Sequence, residues 1–384
     1  MNPTFQRLMH QATRLTSAGQ LRAATAAIQR ALARDNWPTA PTAPTAPTAP
    51  TAPTALTALT ATTAPTPTDG DTAVLDGYVA EMPQEAPAYP GEFLRGTHQH
   101  GGLTRDYKLY VPAGPAGRHL PLVVMLHGCT QDPDDFANGT GMNELADAQG
   151  FLVLYPAQAQ DANPARCWNW FKHNHQSRGS GEAAVIATMT QTVMQEHGAN
   201  RARVYIAGLS AGGAMATLVA AAYPELFAAV GVHSGLAPGA ARSLPEALAA
   251  MRAGASDSTG PARLSGPGLR VPAIVFHGDR DPTVHPKNGD QVIAAVLASA
   301  PAPEAGSERQ PVVEAGVSLQ GQRYTRTVHG ANSGPARAEH WLLHGAGHAW
   351  SGGQATGSYT DAKGPDASRE MLRFFFSHAA ASGH

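Results

Sequence analysis

The tightest constraint on this chain is the run 203–215, Arg-Val-Tyr-Ile-Ala-Gly-Leu-Ser-Ala-Gly-Gly-Ala-Met. Residues 204–207 are apolar, β-branched or aromatic and predict a short buried strand. The alanine-rich 211–223 predicts a helix. Between them stands Gly208-Leu209-Ser210-Ala211-Gly212, a G-x-S-x-G. A chain passing from strand to helix in so few residues must turn sharply at the serine, and that turn lifts the hydroxyl clear of the sheet. The flanking glycines remove side chains that would collide there. The first N–H groups of the helix have no partner within it, so they can face a developing oxyanion. In a chain with 40 glycines among 384 residues the motif alone is weak evidence. A strand before it and a helix after it give it weight.

The surrounding pattern predicts strands over 107–111, 122–126, 152–155, 228–232, 273–276 and 341–343. Helices are expected over 143–148, 182–196, 289–298 and 367–377, with a short one over 245–252. The stretch 301–321 has no strong pattern and is expected to be a loop. Apolar strands alternating with helices mean an α/β domain, here 91–384, whose mainly parallel sheet is covered on both faces. In such sheets the chemistry gathers at the carboxyl ends of the strands.

Ahead of that domain, residues 1–36 carry apolar positions at three- and four-residue spacing on either side of Gly19, which predicts a helical hairpin. It is too small to bury a core alone. A docking role, such as attachment to a polymer granule, competes with that of a solvated appendage. Residues 37–68 repeat Thr-Ala-Pro, which denies the chain helix and ladder hydrogen bonds and predicts an extended, disordered linker. Residues 69–90 form a polar lead-in, and the surface-lying stretch is expected to run on to about residue 98.

The formal net charge is −2, so no nucleic acid or anionic membrane is called for as a partner. No apolar run approaches the ~18 residues of a membrane span. The first twenty or so residues lack the apolar core of a signal peptide, which points to the cytoplasm. Cys129 and Cys167 suffice for one bridge, and in a cytosolic setting both are expected to be reduced. There is no Walker loop, Rossmann fingerprint or zinc-type spacing, so neither cofactor nor metal is implied.

A serine alcohol needs a base, and the base needs a group to hold its tautomer. On this architecture the order is serine, acid, histidine. After Ser210 the chain offers His277-Gly278-Asp279-Arg280-Asp281 behind one strand and His344-Gly345-Ala346-Gly347-His348 behind the last. The residues alone favour Asp281 over Asp279, and His348 over His344, without excluding the alternatives. His127-Gly128-Cys129 follows an early strand, where the second oxyanion donor belongs. Its N–H is expected from Cys129, beside that of Ala211, with His127 on the substrate side. Trp168, Trp170 and Trp350 are read as an apolar wall beside the site, against the default of core packing.

These motifs resemble, in order, the poly(3-hydroxybutyrate) depolymerase family of esterases, related to feruloyl and acetylxylan esterases. The matching runs are Leu126-His127-Gly128-Cys129-Thr130-Gln131, Cys167-Trp168-Asn169-Trp170-Phe171, the serine motif through Met215, His277-Gly278-x-x-Asp281 and Gly347-His348-Ala349-Trp350-Ser351-Gly352-Gly353. The resemblance covers about residues 91–380. It implies an α/β-hydrolase fold, Ser210, Asp281 and His348 as a triad, and an ester substrate: a polyester, its oligomers or a small ester. Many members are secreted, which sets an extracellular location against the cytoplasmic one. A feruloyl or acetylxylan esterase and a polymer-binding protein are the competing readings.

Overall fold

The computed structural model describes residues 91–114, 118–255, 268–300, 310–330 and 334–380. The expected helical head, the Thr-Ala-Pro linker and the lead-in of residues 69–90 lie outside the described residues.

Among the described residues, ten strands form one sheet: β1 (Glu92–His100), β2 (Leu103–Val111), β3 (Leu122–Leu126), β4 (Leu152–Pro156), β5 (Val204–Leu209), β6 (Ala229–His233), β7 (Ala273–Gly278), β8 (Val312–Val317), β9 (Arg323–His329) and β10 (Ala338–Leu343). Their spatial order is β1-β2-β4-β3-β5-β6-β7-β10-β9-β8. From β4 across to β10 the neighbours pair in parallel. The two strands at each edge pair antiparallel. A small parallel pair, β11 (Trp350–Ser351) and β12 (Thr360–Asp361), stands apart.

The helices among these residues are α1 (Pro133–Thr140), α2 (Met142–Gln149), α3 (Gly181–Glu196), α4 (Ala211–Ala222), α5 (Leu244–Ala253), α6 (Lys287–Ala298) and α7 (Ala367–Phe376). Successive residues of a strand point to opposite faces, and β3 displays this directly. Leu122, Val124 and Leu126 join one apolar core with α3, α4, α5 and α6, while Val123 and Met125 join a second with α1, α2 and α7. The central strands are therefore apolar on both sides, which is why they read as continuous hydrophobic runs.

The departures from expectation are at the edges. β1 takes in the last residues, 92–98, of the stretch that reads as a polar surface lead-in, and β8 falls within the expected loop 301–321. β9 has no counterpart among the expected strands. These strands pair with the strands next to them in the chain, β1 with β2, β8 with β9 and β9 with β10. They carry polar or exposed residues on at least one face, so they lack the continuous apolar run that marks the central strands. Helix α1 is also absent from the expected set, although its signals are present: Asp132 caps it by accepting from Asp135 N at 3.0 Å, and Pro133 opens it.

The register brings the functional loops to one end of the sheet. Leu126 on β3 is aligned with Gly208 on β5, Leu209 with His233 on β6, and Gly278 on β7 with Leu343 on β10.

Candidate active site

Ser210 sits between β5 and α4 with φ 57° and ψ −120°, a left-handed conformation rare for a residue with a side chain. The turn is possible because of what its glycines allow. A side-chain carbon on Gly208 would stand 2.4 Å from the Gly212 carbonyl carbon, and one on Gly212 would stand 2.1 Å from the Leu126 oxygen. The His127-Gly128-Cys129 loop thus passes against the first turn of α4, where the Ala211 N–H has no acceptor within the helix. Ser210 is 8% exposed, and its backbone N donates to the His233 carbonyl at 2.9 Å.

His348 and Asp281 meet across two loops. Nδ1 of His348 lies 2.7 Å from Oδ2 of Asp281. The other Asp281 oxygen accepts the N–H groups of Thr283 at 2.9 Å and Val284 at 2.8 Å. Burial pushes the Asp281 carboxyl up, but the His348 hydrogen bond and charge, with those two N–H groups, outweigh it and hold it below its ordinary value. An ionised Asp281 accepts a proton-bearing Nδ1, which turns Nε2 of His348 over to proton exchange. The two loops are drawn together at Gly278, where a side-chain carbon would stand 2.3 Å from the Ala346 oxygen.

The competing residues form a second pair. His344 Nδ1 lies 3.0 Å from Asp279 Oδ2, the Gly345 N–H donates to Asp279 Oδ1 at 2.6 Å, and Thr325 Oγ1 lies 2.8 Å from His344 Nε2. Asp279 and His344 therefore fasten the loops of β7 and β10 to each other and to β9.

His233 is a residue that sequence reasoning passes over. Its carbonyl holds Ser210, and its ring Nε2 accepts the N–H of Ser351 at 3.0 Å, three residues beyond His348. Burial, then the neighbouring charges of His277 and His348, push its pKa down to about 3, so the ring is neutral and serves as an acceptor. Its only signal in the sequence is its place at the end of a strand.

Other expectations are corrected. Trp168 is 0% exposed and Trp350 1%, and both belong to the two cores. Their indole N–H groups donate inward, Trp168 to the His127 carbonyl at 3.1 Å and Trp350 to Ser368 Oγ at 3.1 Å. Trp170 is 5% exposed and packs edge-on against Phe171. Trp168 and Trp350 are scaffold, because a buried indole with a satisfied N–H has already spent its surface on packing, and Trp170 is buried in the same core as Trp168. His127 is likewise buried. Its Nδ1 donates to the Gly128 carbonyl at 2.7 Å and its Nε2 accepts the Gln158 N–H at 3.1 Å. Burial lowers its pKa to about 4. Both ring nitrogens are thus engaged in shaping the loop, with none directed to a substrate.

Cys129 and Cys167, enough for one bridge but expected to be reduced in a cytosolic setting, form a disulfide. Their loops leave the ends of the adjacent strands β3 and β4, and the Thr130 N–H donates to the Ala165 carbonyl beside them.

The sequence model of the esterase PHB depolymerase family, PHB being poly(3-hydroxybutyrate), matches residues 105–312. The chain belongs to that family. Poly(3-hydroxyalkanoate) depolymerase C of Paucimonas lemoignei is 34% identical over 194 residues, 48% of this chain and 46% of that protein. Acetylxylan esterase A of Talaromyces purpureogenus is 32% identical over 197 residues, 47% of this chain and 50% of that protein. The chain thus spans about half the length of the curated relatives it matches. The solved acetyl xylan esterase from Aspergillus awamori superposes with a TM-score of 0.54 at 21% identity, covering 71% of this chain and 94% of that one, which shows a shared α/β-hydrolase fold. The esterase PHB depolymerase match contains Ser210 and Asp281 but ends before His348.

Proposed function

We propose that this chain is a carboxylic ester hydrolase working through an acyl-enzyme on Ser210. The observation that carries the reading is the 2.7 Å contact of His348 with a buried, doubly N–H-bonded Asp281, at the same end of the sheet as a serine held at φ 57°. Ser210 Oγ attacks the ester carbonyl while His348 Nε2 takes its proton. The carbonyl oxygen becomes an oxyanion facing the N–H groups of Ala211 and Cys129. Collapse breaks the C–O bond, and the proton on His348 passes to the departing alcohol. Water then gives a proton to His348 and attacks the acyl carbonyl, and the acid leaves as Ser210 recovers its proton.

The substrate class proposed is a short-chain ester, poly(3-hydroxybutyrate) or its oligomers, in keeping with the depolymerase relative. The acetylxylan esterase relative favours a second reading, removal of acetyl groups from a polysaccharide. Residues 1–36 remain the segment proposed for attachment to polymer. The disulfide supports work in an oxidising compartment, the extracellular alternative, because cytosolic thiols are kept reduced.

The test is hydrolysis of a chromogenic butyrate ester by the wild type and Ser210→Ala, followed by a panel of amorphous polyhydroxybutyrate, feruloyl sugar and acetylated xylan. Wild-type turnover that Ser210→Ala abolishes is the expected result. Turnover surviving in the variant above about a tenth of wild type would remove Ser210 as nucleophile.

A further inference from the structure

Glu182, in the first turn of α3, is a fully buried carboxylate for which the proposed reaction has no use. Its Oε1 accepts from Arg105 Nη2 at 3.2 Å, Gln158 Nε2 at 2.7 Å and Asn169 Nδ2 at 2.7 Å. Its Oε2 accepts the Asn169 backbone N–H at 2.7 Å. Burial drives a carboxyl towards the neutral form, but here contacts from His175, Gln158 and Asn169 prevail and bring its pKa down to about 2. It is therefore ionised throughout the working range.

The groups it grips are those from which the His127-Gly128-Cys129 loop hangs. Gln158 donates its backbone N–H to His127 Nε2, and its amide also donates to the Cys167 carbonyl at 2.9 Å. Cys167 is bonded to Cys129, and Trp168, between Cys167 and Asn169, donates to the His127 carbonyl. Three links thus run from the Glu182 carboxylate to the loop: through the His127 ring, the His127 carbonyl and the Cys129 sulfur. All of them pass through Gln158 or the 167–169 segment.

We infer that Glu182 is a positioning residue whose carboxylate holds the Cys129 N–H on the reacting carbonyl oxygen by clamping Gln158 and Asn169 beneath the loop. The inference rests on the ester-hydrolase reading. An isosteric amide in place of the carboxylate would turn an NH2 group towards donors, so part of the clamp must open. The loop would then shift against Ser210 while the ester still bound.

The experiment compares wild type, Glu182→Gln and Gln158→Met. The methionine variant removes one arm of the clamp and leaves Glu182 paired with Arg105 and Asn169. Active sites are counted with a phosphonate titrant. Then kcat and KM are measured on a soluble butyrate ester, with the inhibition constant of an alkyl boronic acid, whose tetrahedral adduct places an oxygen where the oxyanion forms. Misplacing one oxyanion donor should lower kcat per titrated site about ten- to a hundredfold. KM should change little, and boronate affinity should fall with kcat. Should Glu182→Gln fail to fold, Gln158→Met carries the same comparison. Turnover per titrated site within twofold of wild type, whatever the melting temperature, would reduce Glu182 to a stabilising group and overturn the inference. A fall in kcat with unchanged boronate affinity would also overturn it. If the wild type neither reacts with the phosphonate nor cleaves the ester, the hydrolase reading itself fails. If it does both and the variants match it, only the inference fails.

Discussion

Asp281 and His348 lie 67 residues apart in the chain and 2.7 Å apart in the fold. Asp279 and His344 form a parallel pair at 3.0 Å, but its side chains are about one-third exposed, whereas Asp281 is buried and already holds two N–H groups. The two pairs therefore predict different losses. Asp281→Asn should lower kcat by about four orders of magnitude, because the amide leaves His348 in the wrong tautomer. Asp279→Asn should cost less than tenfold, through looser loops alone, by the modest worth of an exposed pair (about 0–1 kcal/mol). Steady-state kinetics of the two variants check this, and the opposite ranking would transfer the acid's role to Asp279.

Trp168 should behave as a core residue. Its replacement by alanine should cost about 3–5 kcal/mol of stability, with activity on small and polymeric esters falling together. Melting temperature and the polymer-to-small-ester activity ratio, read on one preparation, decide it. An unchanged melting temperature with a loss confined to polymer would restore the wall reading.

The disulfide closes a loop with a sequence separation of 38, so removing it should destabilise the fold by about 4 kcal/mol on the chain-entropy account. Denaturant melts of the double variant Cys129→Ser, Cys167→Ser give the measurement. Thiol titration of the native protein should find no reactive thiol among these two. Finding both would contradict the bridge.

Three buried imidazoles contribute to the response to acid. Burial lowers the pKa of His127 to about 4 and of His233 to about 3, and it lowers that of His277 as well. In each case the folded value lies below the unfolded value of 6.5. The unfolded chain therefore binds more protons below that pH. Stability is whole above about pH 6.5 and falls as the pH drops towards the folded values, by up to ~1.4 kcal/mol per pH unit per group. Unfolding at pH 5.5 should take up about two to three protons through these groups, and about one more through His340, whose burial lowers its pKa to about 4. Calorimetry in buffers of different ionisation enthalpy measures that number, and uptake near zero would mean that these rings are charged in the native state.

The turn at Ser210 is legible in the residues themselves. Apolar run, G-x-S-x-G and alanine-rich run are consecutive, and the physics of that turn is local: glycines where side chains would collide and a helix start behind the serine. The central strands are legible for a related reason, since a strand buried on both faces must be apolar throughout. What stays hidden lacks such a run. The edge strands β1, β8 and β9 keep polar or exposed residues on at least one face and so do not read as apolar segments, and Trp168, in a loop, is buried only through the core it shares with residues of α3 and β3.

By itself, then, the sequence determined the α/β class and the turn at Ser210, because both are written in runs of neighbouring residues. Only the tertiary structure decided that Asp281 is the carboxylate meeting His348 in the buried pair, that Cys129 joins Cys167, and that Glu182 lies beneath the loop beside Ser210. Those are encounters between loops leaving different strands. The order and register of the strands in the sheet set which loop ends come within a hydrogen bond of each other, and no stretch of chain short enough to read as a motif contains that information.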